Sequence, residues 1–249
     1  MARTGRVRCE TDLYHVTIRG CGRQIIFEDA VDRNFFLDRL ELLAAQERVD
    51  VIAYCLMDNH VHIVLFDPEG DLGVFMQRLC CVYARYFNER HDRSGHLFQG
   101  RYSSAAVEDV RYLLTVVRYV HDNPVKAGVL GRECYQWSSY RGYVENKGFV
   151  SRGLVYELIG GAARFVEFSS SEDSWRDLAR VMHSDGVGVL EVARTALGGR
   201  DPLVIGASPR PERDACIRIL SECGLNASEI SRITGVSLSL IHISEPTRP

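Results

Sequence analysis

Asp50-Val-Ile-Ala-Tyr-Cys-Leu56, Met57-Asp-Asn59 and His60-Val-His-Ile-Val-Leu-Phe66 form the stretch that decides the fold. Two runs rich in β-formers flank three turn residues, the pattern of an antiparallel hairpin. Asp and Asn tolerate turn geometry at its centre. Asp67-Pro-Glu-Gly70 closes the second run. Upstream, Tyr14-His-Val-Thr-Ile-Arg19 alternates as a strand does and stops at Gly20 and Gly22. Between this strand and the hairpin, apolar residues recur at helical spacing from Asp29 to Arg48. Downstream, a second helix is predicted from Asp71 to Arg90, an extended segment over His96–Ala105, and a third helix from Val107 to His121. Asn123-Pro124 stops that third helix, because proline cannot supply the next backbone donor.

The order β-α-β-β-α-β-α is the ferredoxin-like one. It predicts an α+β fold, an antiparallel sheet with helices on one face, over residues 1–148, with Trp137-Ser-Ser-Tyr140 packed as a short tail. Residues 149–204 read as a connecting helical region, with helices over Leu154–Leu158 and Trp175–Met182. Residues 205–249 read as a helix-turn-helix DNA-binding domain. Asn226 caps a helix, Glu229 completes a capping box three residues on, and Gly235 supplies the turn. The same grammar fits any small pair of helices. Leu238–Pro249 carries two prolines and few DNA-contacting side chains. It resembles translated sequencing adapter, so the helix-turn-helix reads as truncated.

Composition narrows the function classes. The 249 residues are 46% hydrophobic and 25% charged, which excludes global disorder and coiled-coil composition. Lys and Arg number 30 against 33 Asp and Glu, so bulk charge announces no nucleic-acid partner and any such claim rests on local groups. Eight cysteines show no C-x-x-C spacing and read as reduced thiols. The apolar runs are too short to cross a bilayer, and Met1-Ala-Arg-Thr-Gly-Arg6 leads into no apolar stretch. A cytoplasmic protein with no membrane partner is expected, as a monomer or homodimer.

Chemistry concentrates in two places. His60 and His62 are two apart in a strand, so both imidazoles leave one face with Cα atoms about 6–7 Å apart. Two nitrogen donors so placed can converge on one divalent metal, although histidines on a half-solvated sheet face often bind nothing. Tyr119 and Asn123 are four apart and share a helical face. With that face over the histidine strand, the Asn123 amide oxygen becomes a third ligand and the Tyr119 hydroxyl stands beside the metal. A phenol, ordinarily of pKa about 10, then attacks a metal-bound phosphate as it deprotonates. The plainer alternative makes Tyr119 a packing residue and Asn123 a helix cap. His121 points in another helical direction.

His60-Val-His62, with Tyr119 and Asn123-Pro-Val-Lys-Ala-Gly128, resembles the HUH single-tyrosine transposases. More closely, it resembles the REP-associated tyrosine transposases, also called insertion-sequence-200-like transposases. Tyr14-His-Val-Thr-Ile-Arg-Gly20, Tyr86-Phe-Asn88, Gly95-His-Leu-Phe-Gln-Gly-Arg-Tyr102 and Trp137-Ser-Ser-Tyr140 match in order. Many members of that family have Pro where this chain has Asp58, which alters the turn but removes no catalytic group. The resemblance implies that His60, His62 and Asn123 hold Mg²⁺ or Mn²⁺. It implies that Tyr119 attacks single-stranded DNA to give a 5′-phosphotyrosine and a free 3′-OH. The chain has no P-loop, as expected of a reaction that conserves phosphodiester energy.

Single-stranded or hairpin DNA also needs cations and stacking groups. Arg85, Arg90, Arg101 and Tyr102 flank the site in sequence, with Tyr86 and Arg93, and the arm bearing Arg3, Arg6 and Arg8 fits a hairpin foot. Each of these is also an ordinary solvated charge. The helix-turn-helix adds duplex DNA as a further partner. Two rivals stand beside the nicking-rejoining enzyme. One is a non-catalytic DNA-binding regulator on the same scaffold. The other is a metal-dependent phosphohydrolase that uses water in place of Tyr119.

Overall fold

A computed structural model describes residues 9–107, 110–170, 193, 194, 196–223, 225, 227–238, 240 and 241. Two compact units divide the chain, Met1–Ser171 and Glu172–Pro249. The first contains β1 (Leu13–Arg19), α1 (Ala30–Glu47), β2 (Asp50–Met57), β3 (His60–Phe66), α2 (Leu72–Arg90), β4 (Ser103–Ala106) and α3 (Val110–His121). This is the predicted βαββαβα order. The strands form one antiparallel sheet in the order β2-β3-β1-β4.

β4 is shorter than the extended segment predicted over His96–Ala105, and the register explains why. Phe98 faces Gly20, whereas Ser103 faces Thr17. The chain leading into β4 therefore advances further than β1 does over the same span. The excess leaves the sheet as a bulge at Gly100-Arg-Tyr102. Gly20 admits no side chain here, since a Cβ would lie 2.2 Å from the Gln24 carbonyl oxygen.

Both faces of the central strands are buried. Val16, Ile18, Val61, Ile63 and Leu65 are buried on one face, and His15, Thr17, His62 and Val64 on the other. Right-handed crossovers place α1 and α2 on the first face. There they pack together, with Phe35 stacked on Tyr86 at 3.7 Å and Phe36 edge-on to Tyr83. The sequence pattern predicts helices on one face only. In the structure α3 covers the second face as well, because the side chains of β1 and β3 are buried on both sides and both need cover.

Polar groups lock the α1–α2 pair at one end. Asp29 caps α1 by accepting from the Val31 and Asp32 backbone N–H groups. Arg90, near the end of α2, donates to Asp29 and Asp32. Asp32 is fully buried and also accepts from Tyr86 and from the Glu28 backbone N–H. Beside Arg90, the Asp29 carboxyl is held down at about 2.

The rest of the first unit guards an edge. After α4 (Asn123–Lys126), residues 135–151 run along the outer side of β2, including α5 (Tyr140–Glu145). The Leu56 N–H donates to the Trp137 carbonyl, and the Ser139 N–H to the Tyr54 carbonyl. The Tyr143 hydroxyl donates to the Ile52 carbonyl, and the Ser151 N–H to the Val51 carbonyl. Groups that an edge strand would leave open are thus satisfied. α6 (Gly153–Ile159) and α7 (Phe165–Ser170) complete the unit, with Phe165 stacked on Tyr143.

In the second unit a 3-10 turn (Pro202–Ala207) precedes α8 (Arg210–Glu222) and α9 (Ala227–Thr234). Gly235 follows α9 with φ of 70°, the left-handed turn expected there. The second helix of a helix-turn-helix is expected past Ser237, where residues 239 and 242–249 lie outside the described residues. So do Asn226 with its predicted cap, the predicted helix over Trp175–Met182, and Arg3, Arg6 and Arg8. No described helix is long and apolar enough to cross a membrane, and the eight cysteines are free thiols.

Candidate active site

β3 puts His60 and His62 on the face that α3 covers. Their ring centroids are 4.9 Å apart, with the planes at 89°. The His60 Nδ1–H donates to the Asn59 side-chain oxygen at 2.7 Å. An amide oxygen only accepts, so the bond places a proton on Nδ1 and leaves Nε2 outside it. His62 is 1% exposed. Its Nδ1 lies 3.3 Å from His15 Nε2 and 3.4 Å from Thr17 Oγ1. The β1–β3 register dictates this, since it sets Thr17 directly opposite His62 and His15 one pleat further along.

α3 delivers the phenol to the same place. The Tyr119 ring meets His62 edge-on at 5.6 Å between centroids, and His15 at 5.9 Å. Tyr119 is 3% exposed. Lys126, on α4, sets its ammonium 4.1 Å from the centre of the Tyr119 ring. Asn123 follows one turn after Tyr119 and donates its side-chain N–H to the Tyr119 carbonyl at 3.0 Å. That bond satisfies a carbonyl at the helix end, the capping role. It engages the amide nitrogen, so any ligand chemistry at Asn123 belongs to the oxygen.

His121 belongs elsewhere. It packs edge-on against Tyr140, Tyr143 and Phe165, and its Nε2 is 2.8 Å from Ser139 Oγ. Burial pushes its pKa down to about 3, so the ring is neutral.

The fold therefore gathers His60, His62 and Tyr119, with Asn123 on the adjoining turn. It adds His15, Thr17 and Lys126, which the sequence reading did not single out. The signal for His15 and Thr17 was strand alternation in β1, but only the β1–β3 pairing tells which strand they face. The proposed DNA contacts are dispersed. Arg85 pairs with Glu89 at 2.7 Å, and Arg90 is engaged by two carboxylates. Both sit on α2, across the sheet from the histidines. Arg101 and Tyr102 occupy the bulge beside β1, Arg101 exposed and the Tyr102 hydroxyl 3.5 Å from the Leu72 carbonyl. Among the described residues, no group of three or more His, Cys, Asp or Glu is arranged to hold a metal ion.

Residues 10–123 match the family model described as Transposase IS200 like, a span that includes both histidines and Tyr119. The match lies within the first unit and covers less than half of the chain, which over that span is similar to the IS200-like transposases. Two solved structures are similar to the chain. One is a REP-associated tyrosine transposase bound to a REP hairpin, with 16% identity over 61% of this chain and 89% of that one, and a TM-score of 0.48. The other is a Deinococcus radiodurans R1 protein described as a transposase, with 18% identity over 52% and 99% and a TM-score of 0.35. No curated protein matches. The matched span thus runs from β1 through α3, and the edge-covering segment follows it.

Proposed function

We propose that the first unit is an IS200-like transposase domain that cleaves and rejoins DNA through Tyr119. The observation that carries the proposal is the meeting of the Tyr119 phenol with the β3 histidine pair, 5.6 Å from the His62 ring. The substrate is single-stranded or hairpin DNA. The phenol oxygen attacks the scissile phosphorus and loses its proton. The P–O3′ bond breaks, the 3′ oxygen leaves as a hydroxyl, and a 5′-phosphotyrosine remains. Attack by a 3′-OH on that linkage restores the phosphodiester and returns the proton to Tyr119.

The donor chemistry fits a divalent ion. With Nδ1 engaged by Asn59, His60 would offer Nε2, and the Asn123 amide would offer its oxygen. His60, His62 and Asn123 would hold Mg²⁺ or Mn²⁺, which when bound neutralises charge on the non-bridging phosphate oxygens. Lys126 adds a cation over the Tyr119 ring. The burial of Tyr119 and His62 means that the ring must rotate out, or the α3–α4 segment must move, before a strand engages.

Incubation with an end-labelled single-stranded hairpin and Mn²⁺, followed by a denaturing gel, tests the proposal. A protein-linked product is expected, absent in Tyr119→Phe. An undiminished adduct in that variant overturns it. The same burial favours the regulator as a second reading, which predicts DNA binding with no adduct under any metal.

A further inference from the structure

We infer that His15 is a positioning residue that orients His62 for metal ligation and braces Tyr119 beside it. This rests on the metal-dependent reading of the site given above. His15 is 2% exposed, and it touches both the histidine pair and the nucleophile. Its ring stacks on His62 at 5.4 Å between centroids, 27° from parallel, and meets Tyr119 edge-on. Its Nε2 lies 3.3 Å from His62 Nδ1. For His62 to offer Nε2 as a ligand, its proton must sit on Nδ1. His15 Nε2 is placed to accept that proton's hydrogen bond, with Thr17 Oγ1 flanking the same atom at 3.4 Å.

A ligating histidine held through its other nitrogen has its tautomer and ring plane fixed, and losing such a partner typically weakens metal binding about 10–100-fold. The His15 ring therefore faces His62 with a nitrogen at hydrogen-bonding distance.

The test is Mn²⁺ affinity of the full chain without DNA, from the electron paramagnetic resonance signal of free Mn²⁺. Wild type, His60→Ala, His15→Phe and His15→Gln are compared, with folding checked by circular dichroism. Wild type should bind and His60→Ala should not. His15→Phe keeps a ring but no acceptor, and should bind about 10–100-fold more weakly. His15→Gln reaches the same position with an amide and should recover most of the affinity. Wild-type affinity in a folded His15→Phe overturns the inference alone. So does a folded His15→Gln as weak as His15→Phe, since the loss is then one of packing. If His15→Phe does not fold, His15→Gln decides: near-wild-type affinity supports the inference, and a 10-fold or greater loss overturns it. Failure of wild type to bind, or equal binding by His60→Ala, overturns the parent reading of the site and this inference with it.

Discussion

Tyr119 has two separable signatures under the proposed mechanism. Its ring fills the space between His15, His62 and Lys126, and its hydroxyl would be the attacking group. Tyr119→Ala empties a buried site and is expected to cost about 3–5 kcal/mol in urea unfolding. Tyr119→Phe keeps the ring and is expected to cost only about 1 kcal/mol while abolishing the covalent adduct. Equal destabilisation by the two would show that the hydroxyl is structural. Ser139 is a second point of leverage. Its hydroxyl accepts from the Tyr54 N–H at 2.9 Å and lies 2.8 Å from His121. Ser139→Ala leaves a buried donor without its partner and should cost about 1–3 kcal/mol by denaturant melt.

At the scale of elements, the N-terminus of α1 predicts a pH dependence. The Asp29 pKa lies below its ordinary value of 3.8, at about 2, chiefly because Arg90 hydrogen-bonds to it. A carboxyl depressed in the folded state contributes stability above its unfolded pKa, and loses it as pH falls through the folded one. Asp29→Asn retains a capping side chain but no charge. Wild type should therefore be the more stable protein above about pH 4, and thermal melts should show the gap closing towards pH 2. A gap that does not change with pH would assign Asp29 a capping role only.

Elements also show what the chain makes legible. Strands around His60 and Tyr14, and helices over 29–48 and 71–90, could be read because periodicity is a local property. The cover on the second sheet face was not legible. It depends on α3 returning across β2 and β3, and no period within α3 announces which way it returns. His15 is hidden for the same reason. It lies in the run Tyr14–Gly20, but its partner is fixed by a pairing between strands far apart in sequence. Asn123 was legible as both ligand and cap, and the hydrogen bond to Tyr119 supports the capping half directly.

At the scale of the molecule, the division at Ser171 separates the unit that holds the candidate site from α8 and α9. A chain ending at Ser171 retains His60, His62, Tyr119, Asn123 and the segment that covers β2. It should still form the covalent adduct on a labelled hairpin, while its DNA affinity in a filter-binding titration falls below that of the full chain. Complete loss of DNA binding in a folded truncation would favour the regulator reading.

The covering of β2 has a corollary for self-association. With residues 135–151 occupying that margin, a peptide or second copy seeking to prolong the sheet is left with β4, a four-residue docking strip only about 13 Å long. The bulge at Gly100-Arg-Tyr102 truncates that strip at one end. Strand-by-strand polymerisation therefore has little to grip on this domain, and any union of copies must rely on side chains meeting across surfaces.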